Sequence, residues 1–242
     1  MAAADDAACP IRRVRWKKTH RLILSHYPPI ALFDDVADPH DWELLARAES
    51  LTNPRLLDNI GDLALIPPER RVSGAGASWE MAAFTHLSPD RASRFSDGGY
   101  GVYYAANSFD TAVHEHAFHI AKHLAATAEP EGWVSEVREL VGGIDRRLID
   151  LRGKGHAKLL DPDSYAVSQP FAHTRRAAGA DGIVYPSVRA AGGQCIAAFW
   201  PDVVGLPVQA DHYAYHWNGR AIDYVRRVTG DAGVFALDPD PR

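Results

Sequence analysis

The chain has 242 residues, 46% of them hydrophobic and 24% charged, with a formal net charge of −5. Those proportions suit a globular domain with a sizeable core, and the acidic balance argues against a general nucleic-acid-binding surface while leaving room for a local phosphate pocket. Two cysteines, Cys9 and Cys195, rule out a disulfide framework and point to a reducing compartment.

No stretch reaches the ~20 apolar residues that a membrane helix needs. Met1 to Pro10 lacks the basic start and apolar core of a signal peptide. The expectation is a cytoplasmic protein with no membrane partner and no direct nucleic-acid binding.

Residues 1–15 read as a disordered tail, 16–228 as a single domain with a helical insertion at about 28–79, and 229–242 as a flexible tail. Arg12, Arg13, Arg15, Lys17, Lys18 and Arg21 form one basic cluster. It reads as a solvated edge, with a partner-docking surface or a phosphate ligand at Arg21 as the alternatives. Leu22 to Leu24 makes a short strand that Tyr27-Pro28-Pro29 breaks.

Asp38 caps a helix whose first position is Pro39, and Leu44, Leu45, Ala48 and Leu51 give it a buried stripe. A short helix or turn covers Arg55 to Ile60. Val72 to Trp79 is a flexible loop that leads into apolar Met81 to Phe84. Its Gly74-x-Gly76 is not a dinucleotide-binding fingerprint, because Trp79 stands where the third glycine belongs and no βαβ pattern surrounds it.

A glycine-rich turn, Arg94-Phe95-Ser96-Asp97-Gly98-Gly99-Tyr100-Gly101, opens the central stretch. A strand from Val102 to Ala105 follows, and alternation puts Val102 and Tyr104 on one face and Tyr103 on the other. Asn107 or Ser108 caps a helix running to about Ala126, with Val113, Ala117, Ile120 and Leu124 as its core stripe. Glu115 lies about 200° round that helix from Val113 and so leaves the stripe.

Strands are expected at Trp133–Val137 and Leu148–Leu151, and a helix from Pro162 to Ala178 that Gly179 ends. A buried strand, Gly182 to Tyr185, turns at Ala190–Gln194 into a returning strand, Cys195 to Trp200. Tyr213, Tyr215 and Trp217 mark one more strand. Strands and helices without βαβ regularity make the class α+β, with mixed or antiparallel small sheets flanked by helices.

Three constellations bear on chemistry. His114, His116, His119 and His123 crowd one helix, but Phe118 occupies the second histidine position of a zinc-protease motif. His119 and His123 lack a third ligand, so exposed helix histidines are the cheaper reading and no metal is expected. Ser187, in Tyr185-Pro186-Ser187-Val188-Arg189, lacks the flanking glycines of a nucleophile elbow and reads as a strand-end hydroxyl. Arg94, Tyr104 and Glu115, with Ser187 as a fourth member, suit an anionic, aromatic, sugar-containing ligand. Singly, each has a structural explanation, such as the helix dipole for Glu115.

Taken in order, Arg94-Phe95-Ser96-Asp97-Gly98, Val102-Tyr103-Tyr104-Ala105-Ala106, Thr111-Ala112-Val113-His114-Glu115 and Gly182 to Arg189 resemble the motifs of the RES-domain family. The likeness runs from about His20 to Trp217. Phe95 departs from it, since family members usually carry Trp there, and the extra helical sequence between about Pro28 and Trp79 marks a longer subgroup.

The resemblance implies a fold similar to ADP-ribosyltransferases and a toxin of a bacterial toxin–antitoxin pair. Its partner would be an Xre-like helix-turn-helix antitoxin, and a homo-oligomer within that complex is allowed. It implies cleavage of the nicotinamide–ribose bond of NAD⁺ as substrate, without a prosthetic group, by hydrolysis, phosphorolysis or ADP-ribosyl transfer. Glu115, Arg94 and Tyr104 would be catalytic, and Arg94, Tyr104, Ser187 and Arg21 would hold the dinucleotide. The alternative is a catalytically silent module that acts by complex formation with the antitoxin.

Overall fold

A computed structural model describes residues 9–25, 42, 44, 61–87, 92–230 and 233–239. Of the helix expected at 38–51 only residues 42 and 44 are described; both are helical, Trp42 is buried, and Leu44 is exposed rather than part of a buried stripe. The short helix or turn expected at 55–60 and residues 1–8 of the expected tail lie outside the described residues.

Among the described residues eight strands build one mixed sheet: β1 (Ile11–Leu24), β2 (Tyr103–Ala106), β3 (Gly132–Asp150), β4 (Gly182–Pro186), β5 (Gln194–Ala198), β6 (Val208–Trp217), β7 (Ile222–Arg227) and β8 (Val234–Ala236). Their order is β1-β2-β5-β4-β3-β6-β7-β8, and β1 also pairs with β3. The first five therefore close a circuit of pairings. Only β3 and β4 run parallel; every other pair is antiparallel. The α+β class holds, and strands that read separately in the sequence join in a single large sheet.

Three expectations change. β1 begins at Ile11, so the tail expected through residue 15 is partly strand, and the short strand at Leu22–Leu24 is only its end. The outward side chains hide this strand's period: Arg13 and Arg15 both bind Asp145 of β3, while Val14 and Leu22 point into the protein. The strands expected at Trp133–Val137 and Leu148–Leu151 are the two ends of β3, a 19-residue strand. Its polar middle includes Gly142, where a Cβ would stand 2.8 Å from the Gly205 carbonyl oxygen, so the missing side chain admits a crossing backbone. Finally, β8 lies within the expected flexible tail and pairs with β7.

Among the described residues three helices flank the sheet: α1 (Ala77–Thr85), α2 (Phe109–Thr127) and α3 (Ser168–Ala177). Ser108 caps α2 by accepting the Thr111 amide at 3.2 Å. The helix expected from Pro162 begins only at Ser168, because Asp161 binds the amides of Asp163 and Ser164 and holds the preceding segment as a turn.

Alternation along the central strands feeds two cores. Tyr104, Tyr185, Cys195 and Ala197 join Val113, Ala117 and Leu124 of α2 in one. Tyr103, Val184, Ile196 and Ala198 join Met81 and Phe84 of α1 in the other. The face carrying Tyr104, Tyr185 and Cys195, with α2 laid over it, carries the site.

Candidate functional site

Arg94 sits in a tight turn closed by the Ser93–Ser96 bridge. The Tyr104 hydroxyl accepts the Phe95 amide at 3.0 Å and shares a hydrogen bond with Ser93 Oγ at 2.9 Å. Tyr100 donates to the Phe95 carbonyl at 2.5 Å from the other side. Two glycines are needed here. Gly98 adopts φ +99°, and a Cβ on Gly101 would lie 2.3 Å from the Ala83 carbonyl of α1. The glycines thus shape the turn that carries Arg94 and let α1 pack against it.

Burial pushes the Tyr104 phenol up to about 12, against the opposing effect of its bonds to Ser93 and Phe95. It is neutral near pH 7. Its hydroxyl is committed to the turn, which leaves the ring as the surface it can offer a ligand.

Glu115 stands in the second turn of α2, off the core stripe and partly exposed. Ser187, just beyond β4, donates its hydroxyl proton to Glu115 Oε1 at 2.5 Å. The same oxygen of Ser187 accepts the amides of Arg189 at 3.1 Å and Ala190 at 2.9 Å. Both acceptor positions being filled, the proton can only point at the carboxylate. Ser187 has a carboxylate partner where a hydrolytic serine would have a histidine, so its geometry is that of a group fixing Glu115 in place.

Cys195 of β5 brings Sγ to 3.8 Å of the same Glu115 oxygen. Burial, and then the neighbouring Glu115 charge, hold its thiol well above the usual range, so it stays protonated. Tyr185 is likewise kept neutral, first by burial and then by Cys195 and Glu115.

Two arginines stand nearby: Arg189 within reach of the Glu115 charge, and Arg94 beside Arg189. Arg94, buried, donates to the Asp161 carbonyl at 2.6 Å and lies 5.1 Å from the Tyr165 ring centroid. Arg189 donates to the Pro162 carbonyl at 2.6 Å and stacks on Phe118 with its guanidinium 3.5 Å from the ring centroid. Consecutive carbonyls of one segment therefore hold both guanidiniums, and Ser168 secures that segment by donating to the Arg94 carbonyl at 2.6 Å. Sequence reasoning passed over Arg189, Tyr165 and Cys195. Arg189 stood two residues from Ser187 in the same short segment, which is the signal that marks it.

The structure thus brings Arg94, Tyr104, Glu115 and Ser187 to one face. Arg21 is not among them. Its guanidinium lies 4.5 Å from the ring centroid of Tyr103, a member of the opposite core, while it donates to the Tyr104 carbonyl at 3.0 Å.

The helix histidines also need correction, since only His119 and His123 are exposed. His114 Nδ1 lies 2.9 Å from the Asp110 carbonyl, and His116 Nδ1 lies 3.1 Å from the Tyr215 hydroxyl. Among the described residues no group of three or more His, Cys, Asp or Glu is placed to hold a metal ion. No described helix is long and apolar enough to cross a membrane.

Residues 68–218 match the model of the RES domain. The chain belongs to the RES-domain family. An uncharacterized protein of Sinorhizobium fredii, y4oC, is 30% identical over 209 residues, which is 84% of each chain. A solved structure, the MbcT–MbcA toxin–antitoxin complex of M. tuberculosis, contains a chain similar to this one, with a TM-score of 0.41 and 11% identity over 95% of this chain and 87% of that one.

The matched RES-domain span contains Arg94, Tyr104, Glu115 and Ser187, whereas β1 with Arg21 precedes it. Phe95 is fully buried and meets Tyr185 edge-on, with ring centroids 5.1 Å apart. An aromatic edge contact of this kind anchors the turn without needing an indole N–H.

Proposed function

We propose that this RES-domain protein is the toxin of a bacterial toxin–antitoxin pair, with a fold like that of ADP-ribosyltransferases, and that it cleaves the nicotinamide–ribose bond of NAD⁺. One observation carries the reading: a carboxylate, Glu115, is oriented by Ser187 and lies near the Arg189 guanidinium, which in turn neighbours Arg94. The surrounding groups fit a ligand that is cationic at one end and anionic in its middle.

In this reaction the bond between ribose C1′ and the pyridinium nitrogen breaks, and its electron pair leaves on nicotinamide, which becomes neutral. Positive charge develops on the ribose, as in glycoside hydrolysis. In this reading Glu115 stabilises that charge and holds the ribose hydroxyls. The leaving group is already cationic, so no strong general acid is required, in keeping with Tyr104, Tyr185 and Cys195 all being held protonated. The Tyr104 ring offers a π-face to the pyridinium. Arg94 offers charge-assisted bonds to phosphate or ribose oxygens. Water, phosphate or a protein nucleophile then attacks C1′ and gives up its proton.

The test is to incubate purified protein with NAD⁺, with and without inorganic phosphate, and to resolve the products. Nicotinamide with ADP-ribose marks hydrolysis, nicotinamide with a phosphorylated ADP-ribose marks phosphorolysis, and modified protein marks transfer. NAD⁺ left intact by the wild-type chain would refute the reading and favour a silent antitoxin-binding module. The expected partner is a helix-turn-helix antitoxin, and co-purification of the two chains tests it.

A further inference from the structure

Beside the Glu115 cluster lies a cavity of about 690 Å³, walled by α2, by the segment after β4, by the β6–β7 turn and by residues following β8. Its volume is in the range of small-molecule sites, roughly 300–1,000 Å³. The floor is apolar: Ala117, Ile222 and Leu237 are all buried. The rim is cationic, with Lys122 and Arg220 both exposed. Neither makes a side-chain hydrogen bond or an ion pair among the described residues. Asp238 also lines the cavity.

The position of this cavity matters more than its size. Phe118 and Arg189 belong to its wall. They are also the pair whose cation–π contact borders the Glu115 site, and the Arg189 amide donates to Ser187 Oγ. On α2, Glu115 and Phe118 are three residues apart and share a face, and Lys122 continues that face by one further turn. A molecule cut at Glu115 and extending past Arg189 therefore enters the cavity without leaving the protein surface.

We propose that this cavity holds the adenosine-phosphate half of the dinucleotide, with Arg189 at the pyrophosphate and Lys122 and Arg220 as specificity-determining cations. The assignment rests on the NAD⁺-cleaving reading above. It gives the protein a reason to prefer an intact dinucleotide over a smaller nicotinamide nucleotide.

The test compares NAD⁺ with nicotinamide mononucleotide, which carries the same scissile bond and no adenylate. In Lys122→Glu/Arg220→Glu, the ratio of kcat/KM on NAD⁺ to that on the mononucleotide should fall about tenfold, mainly through KM for NAD⁺. Both substrates carry phosphate, so a general change in the protein's field would move both and leave the ratio. Both side chains are exposed, which keeps the variant folded. AMP binding, read by calorimetry, should weaken about tenfold in the same variant and persist in Glu115→Ala. A ratio and an AMP affinity equal to wild type, in a protein that does cleave NAD⁺, would overturn the adenylate site. Failure of the wild type to cleave NAD⁺ would instead overturn the reading beneath it.

Discussion

Ser187 donates its only proton to Glu115 at 2.5 Å from 72 residues along the chain, while two backbone amides occupy its acceptor positions. The carboxylate is thereby aimed before any ligand arrives. Removal of Glu115 as Glu115→Ala should lower NAD⁺ consumption by about 10²–10³-fold, the usual loss for an electrostatic group at a developing charge. Ser187→Ala should cost about tenfold. The double variant should be little worse than Glu115→Ala alone, because the hydroxyl acts through the carboxylate. Product release from NAD⁺, followed by nicotinamide, checks all three; additive losses would place Ser187 on the substrate instead.

Tyr104→Phe separates the ring from the hydroxyl. The ring remains to meet the ligand, but the Ser93 and Phe95 contacts that fix the Arg94 turn are lost. Stability should fall by about 1–2 kcal/mol, with the buried Phe95 amide left unpaired. Activity should fall less than in Tyr104→Ala, which removes both. Denaturant titration beside steady-state rates distinguishes the two contributions.

Gly101→Ala should destabilise by about 3 kcal/mol, the upper end of overpacking costs. Its Cβ would meet the Ala83 carbonyl oxygen at 2.3 Å and the Phe84 Cα at 2.4 Å, both backbone atoms that cannot swing aside. Thermal melts report it, and an unchanged Tm would mean that α1 yields.

His116 carries a pH dependence. Burial, then the neighbouring His119 and Arg21 charges, lower it from 6.5 to about 3. The unfolded chain therefore takes up a proton below pH 6.5 that the folded chain refuses. The stabilisation is complete above pH 6.5 and is lost as pH falls toward 3. Tm should decline already between about pH 6.5 and 5, where Asp145 and Asp150, both held below their usual range by arginine partners, have not begun to titrate. His116→Asn should flatten the curve in that window.

Glu80 behaves in the opposite sense. It is fully buried on α1, and neither carboxylate oxygen has a hydrogen-bond partner among the described residues. Burial raises its pKa well above 4.5, against the opposing pull of Arg21. Its contribution is present below pH 4.5 and fades as pH rises through the folded value. Glu80→Gln should raise stability at pH 7–8 by about 1 kcal/mol, or about 2–4 °C in Tm, and change nothing at pH 4.

Much of the site was legible in order along the chain. The Arg94 turn, the Tyr104 strand, the capped α2 helix with Glu115 off its stripe and the late Ser187 all follow from local patterns: glycine placement, alternation, capping and helical periodicity. Those patterns report what neighbouring residues do, and here they are consistent with one another. They failed where charge covered an outward strand face, as in β1, and where a polar middle split β3 into two apparent strands. They failed again at Pro162–Val167, where the Asp161 turn overrides the expected helix.

The sequence by itself determined the family, the α+β class and the residue types the site would use, because each is encoded in short-range pattern. Tertiary structure alone decided that Ser187 donates to Glu115, that Arg94 and Arg189 end on the consecutive carbonyls of Asp161 and Pro162, and that Arg21 stacks on Tyr103 of the opposite core. Those outcomes depend on strand register and on which sheet face a side chain takes. A single-residue shift of register would reverse them without altering any local signal.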